Sequence, residues 1–248
     1  MYPIIHFSLP SYAVMAMLAA FASVIFLYFR IDRFELQFNC FLSMSLLCAL
    51  YGVLGSRVLF VVSRIPWLMF NFSLNNALIT IIGGGFVFYG GLLGVLFGIK
   101  TYCKKHSLNL HKVLNCVTPA IPLFHAIGRV GCFLSGCCYG KELSSPMVMF
   151  GVLKVTRIPT QLIEAVFEMS LFIVILILGR HKTNYNLLKI YMTSYAVFRF
   201  IIEFWRGDTL RGFFLGISTS QIVSICIIIF YLVKSIRTKY NDQTRVVA

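Results

Sequence analysis

Ionisable side chains fall inside otherwise apolar stretches of this sequence: Arg129, Glu164, Glu168, Arg199 and Glu203. A charge in hydrocarbon is costly, so such residues mark a site, a pathway or a paired contact. Glu164 and Glu168 are four apart, as are Tyr195, Arg199 and Glu203, and a helix sets that spacing on one face. Arg206 continues the second face. Arginine stays charged, and its planar fork grips phosphate through parallel hydrogen bonds. Two arginines on separate helices would suit a phosphodiester and would stabilise charge on a departing phosphate. The plainer alternative is a set of paired charges that joins helices. His125 lies four residues before Arg129, on the same face if that stretch is helical.

Cys132, Cys137 and Cys138 form a second cluster of reactive types. A disulfide between Cys132 and Cys137, small residues filling a turn, a nucleophile that relays a group, and a zinc site in need of a fourth ligand all remain open. Cys40, Cys48, Cys103, Cys116 and Cys226 are scattered in or beside apolar runs and are expected to behave as small buried hydrophobes.

The elements that must hold these groups are apolar. The chain has 248 residues, of which 59% are hydrophobic and 12% charged, with a mean hydropathy of +0.86. Globular domains carry roughly 25% charged residues, so a water-soluble protein of this composition would lack a surface. Apolar runs recur at the length that crosses a core of roughly 30 Å, and backbone in lipid must satisfy its own hydrogen bonds. The expected fold is an all-α, polytopic transmembrane bundle of about seven spans, a single membrane-embedded domain over residues 1–248. The spans are expected near 12–29, 40–62, 78–99, 113–135, 160–179, 187–205 and 214–233. The fourth is interrupted by Pro119, Pro122, Gly128 and Gly131. No cleavable signal is expected, so the first span is a retained anchor.

Basic residues set the orientation. Arg30, Arg33, Lys100, Lys104, Lys105, Lys112, Arg180, Lys182, Lys189, Lys234, Arg237, Lys239 and Arg245 fall on one side. Arg57, Arg64, Lys141, Lys154, Arg157, Arg206 and Arg211 fall on the other. The richer side is expected in the cytoplasm, with the N-terminus out and the C-terminus in. The net charge of +14 fits contact with anionic lipid head groups. Its dispersal over short loops excludes a nucleic-acid-binding domain. The run Gly83, Gly84, Gly85, Gly90, Gly91, Gly94 and Gly98 suggests close helix packing, with room for a lipid head group as the alternative.

At these residues the chain resembles the bacterial prolipoprotein diacylglyceryl transferases. Gly128-Arg129-Val130-Gly131-Cys132-Phe133-Leu134-Ser135-Gly136-Cys137-Cys138-Tyr139-Gly140 resembles the family signature G-R-x-G-N-F-x-N-x-E-x-x-G. Ser11-Tyr12, Gly55-Ser56-Arg57 and Phe88-Tyr89-Gly90-Gly91-Leu92-Leu93-Gly94 are similar to its Y-G, G-x-R and F-H-G-G-L-x-G segments. Pro159-Thr160-Gln161-Leu162-Ile163-Glu164 resembles P-S-Q-L-Y-E, and Tyr195 to Arg206 resembles Y-G-x-x-R-F-x-x-E-F-x-R.

The resemblance implies a multi-pass enzyme of the bacterial plasma membrane, with phosphatidylglycerol as donor. It would pass the diacylglyceryl group to the thiol of a lipobox cysteine in a secreted precursor and release glycerol 1-phosphate. No metal or soluble cofactor is implied. Arg129, Arg199, Tyr89, Glu203 and Cys137 take the catalytic positions by motif. Tyr12, Arg57, Gly90, Gly91, Gly128, Gly131, Gly140, Gln161, Glu164, Tyr195 and Arg206 take the substrate-binding ones. Arg129 and Arg199 would bind the phosphate; Tyr12, Tyr195 and Glu203 would position the head group; Gly128, Gly131 and Gly140 would let backbone approach it.

The departures fall at the chemistry. Tyr89 replaces the family histidine, Cys132 and Ser135 its asparagines, Cys137 its glutamate, and Ile158 the histidine before Pro159. Thiolate is the nucleophile, and a phenol that is protonated at neutral pH is a poor base. His125 could substitute. Two rival readings follow: a paralogue with a different acceptor, and a non-enzymatic lipid-binding or transport protein.

Overall fold

The structure, a computed structural model, describes residues 4–5, 9–32, 37–82, 85, 87–149, 153–180, 185–207, 213–214 and 217–247. Arg33, Gly83, Gly84, Lys182 and Arg211 lie outside the described residues, as do the side chains of Lys239 and Arg245. Helix dominates. In chain order the elements are β1 (Ile4–Ile5), β2 (Leu9–Pro10), α1 (Ser11–Ile31), α2 (Phe38–Phe70), α3 (Leu74–Ile82), α4 (Phe88–Lys105), α5 (Leu110–Val117) and α6 (Ala120–Ser135). There follow β3 (Glu142–Met149), β4 (Leu153–Arg157), α7 (Thr160–Arg180), α8 (Leu187–Ile202), a 3-10 turn (Glu203–Trp205), β5 (Phe213–Phe214), β6 (Ile217–Ser218) and α9 (Thr219–Val247).

Among the described residues, five helical stretches are long and apolar enough to cross a membrane by length and composition: Ser11–Ile31, Phe38–Phe70, Leu110–Ser135, Thr160–Arg180 and Thr219–Arg237. Their outward faces carry large apolar side chains such as Phe29, Met69 and Phe70, the last 89% exposed. Hydrocarbon accepts that surface and water does not. The segment expected as one span at 78–99 is two helices, α3 and α4, with Gly85 and Val87 outside either. The segment at 113–135 is broken at Thr118 and Pro119 between α5 and α6. Pro122 lies in the first turn of α6, where its missing N–H costs no helical bond. The 16 residues of α8 reach about 24 Å, and the 3-10 turn carries the same direction about 6 Å further.

The chain divides into two compact units. In the unit spanning 24–117, α2 lies against α4 through glycine. A Cβ on Gly90 would strike the carbonyl of Gly55, and one on Gly94 would strike that of Tyr51. Gly98 packs at 3.3 Å from the Tyr51 ring by the same measure. The small-residue stripe is therefore a packing surface. Ile31, Phe41, Met44, Ile99, Tyr102 and Val113 form the core of this unit. Arg30, expected in a polar loop, is buried. Its Nε donates to the Cys116 carbonyl at 3.1 Å, which satisfies the end of α5.

The other unit holds residues 1–23, 118–209 and 215–248. Here α7 packs on α6 and α8, and α8 on α9. Ser218 and Gln221 start α9 as a capping box: Gln221 N–H donates to Ser218 Oγ at 3.2 Å and Ser218 N–H to Gln221 Oε1 at 3.1 Å. Strands β3 and β4 pair antiparallel, with the register slipping between Glu142 and Met147, where Pro146 has no N–H to give. Of the scattered cysteines, Cys103 and Cys116 are buried, Cys40 and Cys48 half-buried, and Cys226 exposed. Cys226 departs from expectation because on an apolar helix face a small thiol can meet lipid as readily as protein.

Gly94→Ala should push α2 and α4 apart and cost about 1–3 kcal/mol, read as a lowered thermal midpoint in detergent. Gly128→Ala, where an added Cβ meets nothing within 4 Å, should leave that midpoint unchanged.

Candidate active site

The apolar sequence of α7 is interrupted by Glu164 and Glu168, one turn apart, and α6 presents His125 and Arg129 at the same spacing. The two helices lie side by side, and the pairs meet in reverse order, as antiparallel neighbours must. Arg129 Nη2 is 2.9 Å from Glu164 Oε1, and His125 Nδ1 is 2.7 Å from Glu168 Oε1. All four side chains are buried.

From α8, Arg199 Nη1 approaches Glu164 Oε2 at 3.5 Å, and Tyr195 Oη donates to Glu164 Oε1 at 3.1 Å. Two guanidinium groups from different helices therefore converge on one carboxylate. Arg199 Nη2 also meets Glu203 Oε2 at 3.0 Å and Ser220 Oγ of α9 at 3.2 Å. Arg129 Nε donates to His125 Nε2 at 3.2 Å. That bond places the imidazole proton on Nδ1, facing Glu168. Both ring nitrogens are engaged, so His125 orients Arg129 from its place beside Glu168.

The Cys cluster follows directly. Gly136, at φ 73°, ends α6 in the left-handed conformation and donates to Cys132 and Phe133 carbonyls. Cys138 has φ 60°, a region that a side chain enters only under strain. The N-terminus of α7 clasps the loop: Gln161 Nε2 donates to the Cys137 carbonyl at 2.6 Å and Thr160 Oγ1 to that of Cys138 at 3.0 Å. The three sulfurs lie within 4.8 Å of one another, and all are free thiols. Of the four readings left open by the sequence, a Cys132–Cys137 disulfide is not the one seen here. Arg129 Nη1 is 4.0 Å from Cys132 Sγ, so one guanidinium touches both clusters. Cys138, beyond the helix, is held below the ordinary thiol range by hydrogen bonds from Cys132 and Cys137, with Arg129 and Arg206 adding to the effect.

The signature glycines do separate jobs. A Cβ on Gly131 would come within 2.7 Å of Met15 Cβ, so this residue lets α6 approach α1. One on Gly140 would come within 2.5 Å of the Ile158 carbonyl and 2.9 Å of that of Trp205. The Gly140 backbone is threaded between those segments and bridges to Arg206. Gly128 alone of the three faces open space among the described residues. Tyr12 stands on α1 within electrostatic reach of Arg129 and the three cysteines. Arg57, Tyr89, Gly90 and Gly91 belong to the other unit. There Arg57 donates to the Ile82 carbonyl at 2.9 Å and Tyr89 is buried.

A family model for prolipoprotein diacylglyceryl transferase matches residues 1–237. The chain belongs to the prolipoprotein diacylglyceryl transferase family. It is 33% identical over 225 residues to a phosphatidylglycerol–prolipoprotein diacylglyceryl transferase of Clostridium tetani, covering 88% of each chain. A second such transferase of Clostridium perfringens is 33% identical over 192 residues, 75% of this chain and 73% of that one. The Dehalococcoides mccartyi relative is 28% identical over 245 residues, 94% and 92% of the two chains. Within the family frame, the His125–Glu168 and Thr160–Cys138 contacts are the parts that motif matching missed. The sequence showed each half of the first as a four-residue spacing but not that the halves meet, and nothing in it pointed to the second.

Glu164→Leu removes the counter-charge that Arg129 and Arg199 share, and should cost about 3–5 kcal/mol. The thermal midpoint in detergent checks this, and Glu164→Gln should recover part of the loss.

Proposed function

We propose that this protein is a membrane transferase that moves the diacylglyceryl group of phosphatidylglycerol to the thiol of a lipobox cysteine and releases glycerol 1-phosphate. The observation that carries this reading is the convergence of Arg129 and Arg199 on Glu164. A carboxylate shared by two forks is the charge that an entering phosphodiester would join or displace. Both arginines keep further N–H donors, enough to hold the phosphate in the ground state and its second negative charge as the glyceryl C–O bond breaks. Tyr195 braces the shared carboxylate and Glu203 holds Arg199, and Gly128 leaves space for the head group. Tyr12 and Arg206 complete the head-group pocket beside Gly131 and Gly140. Arg57, Tyr89, Gly90, Gly91, Gln161 and Cys137 keep roles assigned by motif position.

In this reading residues 1–248 act as one domain in the bacterial plasma membrane. Its seven spans are α1, α2, α3–α4, α5–α6, α7, α8 and α9. The N-terminus is outside, the C-terminus inside, and both arginines face the outer leaflet, where secreted precursors arrive. The replacement of family residues by Tyr89, Cys132, Ser135 and Cys137 favours, as a second reading, the same lipid fragment delivered to an acceptor other than a lipoprotein.

Arg129→Ala and Arg199→Ala should each lower release of glycerol phosphate from phosphatidylglycerol vesicles by about 10²–10³-fold. Arg199→Lys should restore little, since an ammonium cannot make the planar double contact. Restored lipoprotein lipidation in cells that lack their own transferase identifies the acceptor. Head-group release without lipidation of a lipobox peptide assigns the second reading, and an unchanged rate in both alanine variants removes the clamp.

A further inference from the structure

Three thiols brought together by a strained loop serve no purpose that the phosphate clamp requires. The sulfurs of Cys132, Cys137 and Cys138 lie within 4.8 Å of one another. With zinc–sulfur bonds of about 2.3 Å, the edge of a tetrahedral site is about 3.8 Å. Closing on an ion therefore asks for shifts of about 1 Å or less per pair. The loop keeps the sulfurs close to one another, with Cys132 buried, Cys138 half-buried and Cys137 exposed. Thr160 and Gln161 hold the carbonyls of Cys138 and Cys137 from outside, and Cys138 is kept at a backbone angle of φ 60° that glycine would adopt more easily.

A covalent relay through these cysteines would end in a thioether. Passing the group on would then require a thiolate to leave a saturated carbon, which is a slow step without activation. The three sulfurs are better suited to holding an acceptor than to being one. Soft thiolate ligands select zinc or copper(I), and zinc bound by three protein ligands retains an open fourth position.

We propose that Cys132, Cys137 and Cys138 bind a zinc ion whose fourth position takes the acceptor thiol. This rests on the transferase reading above. A thiol that coordinates zinc is deprotonated outright, so the ion does the work of the histidine that Tyr89 replaces. The acceptor's S–H proton leaves to water as its sulfur binds zinc. A sulfur lone pair then attacks the glyceryl carbon attached to the phosphate oxygen. The C–S bond forms as the C–O bond breaks, and the C–O electron pair leaves on glycerol phosphate. The thioether product has lost its charge and leaves the ion, which stays divalent throughout. Arg129 lies 2.9 Å from the shared carboxylate and 4.0 Å from Cys132 Sγ, so it sets donor and acceptor side by side. The charges of Arg129 and Arg206 offset the single excess negative charge of three thiolates on zinc.

The test uses the purified full-length protein and its Cys132→Ser, Cys137→Ser and Cys138→Ser variants. Elemental analysis should find about one zinc per chain in the parent and little in each variant. Cobalt(II) loaded in its place should show a thiolate-to-metal absorption band that shifts when a lipobox peptide is added. A free thiol is only about 3% ionised near pH 7. Transfer to the peptide at that pH should therefore fall on the order of 30-fold in the variants and after chelation of the parent, and zinc should restore the chelated protein. The deficit should shrink above about pH 9, where the acceptor ionises unaided. Where a serine variant loses its helical signal, the chelated parent carries the same comparison.

A Cys132–Cys137 disulfide in the active protein, copper(I) as the sole bound ion, or full transfer by zinc-free protein would each overturn the proposal. The last result would leave the transferase standing. Zinc held by three cysteines in a protein that never alkylates the peptide would instead retain the site and remove the transferase.

Discussion

One buried carboxylate holds this protein's polar centre together. Glu164 accepts from Arg129 of α6 and from Tyr195 of α8, and pairs with Arg199 of α8. In a medium without water, neither guanidinium could stay in the bundle without such a partner. The packing around α7 fits that requirement, because α6 and α8 each bring an arginine to its polar face. Lipid makes no distinction among the apolar faces, so the ionic face fixes which helix sits where.

A second layer supports the first. His125 and Glu168 keep Arg129 oriented on one side, and Glu203 and Ser220 do so for Arg199 on the other. A guanidinium with several of its N–H groups already committed cannot swing away, so the forks remain aligned whether or not a phosphate lies between them. Such preorganisation stabilises developing charge, since no reorganisation is needed when the bond breaks.

Much of this was legible in the sequence, for identifiable reasons. Apolar run length gave the helical class and placed α1, α7 and α8 with its 3-10 turn within a few residues, because bilayer thickness leaves little choice of length; α2 and α9 run well past their expected ends at 62 and 233, to Phe70 and Val247. The four-residue spacings of Glu164 with Glu168 and of His125 with Arg129 gave the two polar faces. That those faces meet each other was not readable, since spacing within a helix says nothing about its neighbour. The break in the fourth apolar run was readable from Pro119, whereas the one in the third was blurred because hydropathy averages across a hinge, even where Gly85 marks it. Glycine was the least legible residue. Gly128, Gly131 and Gly140 lie in one motif, yet one faces open space, one admits α1, and one is wedged between two carbonyls.

The first turn of α7 grips the cysteine loop through Thr160 and Gln161, and Glu164 lies on the very next turn. Glu164 lies three helical steps beyond Gln161, a rise of about 4.5 Å. The gap between the sulfur loop and the anion clamp is thus ruled by backbone pitch, a length that lipid composition, temperature and drift among the outer side chains scarcely alter. If α7 slides or tilts, both half-sites travel with it and keep their spacing.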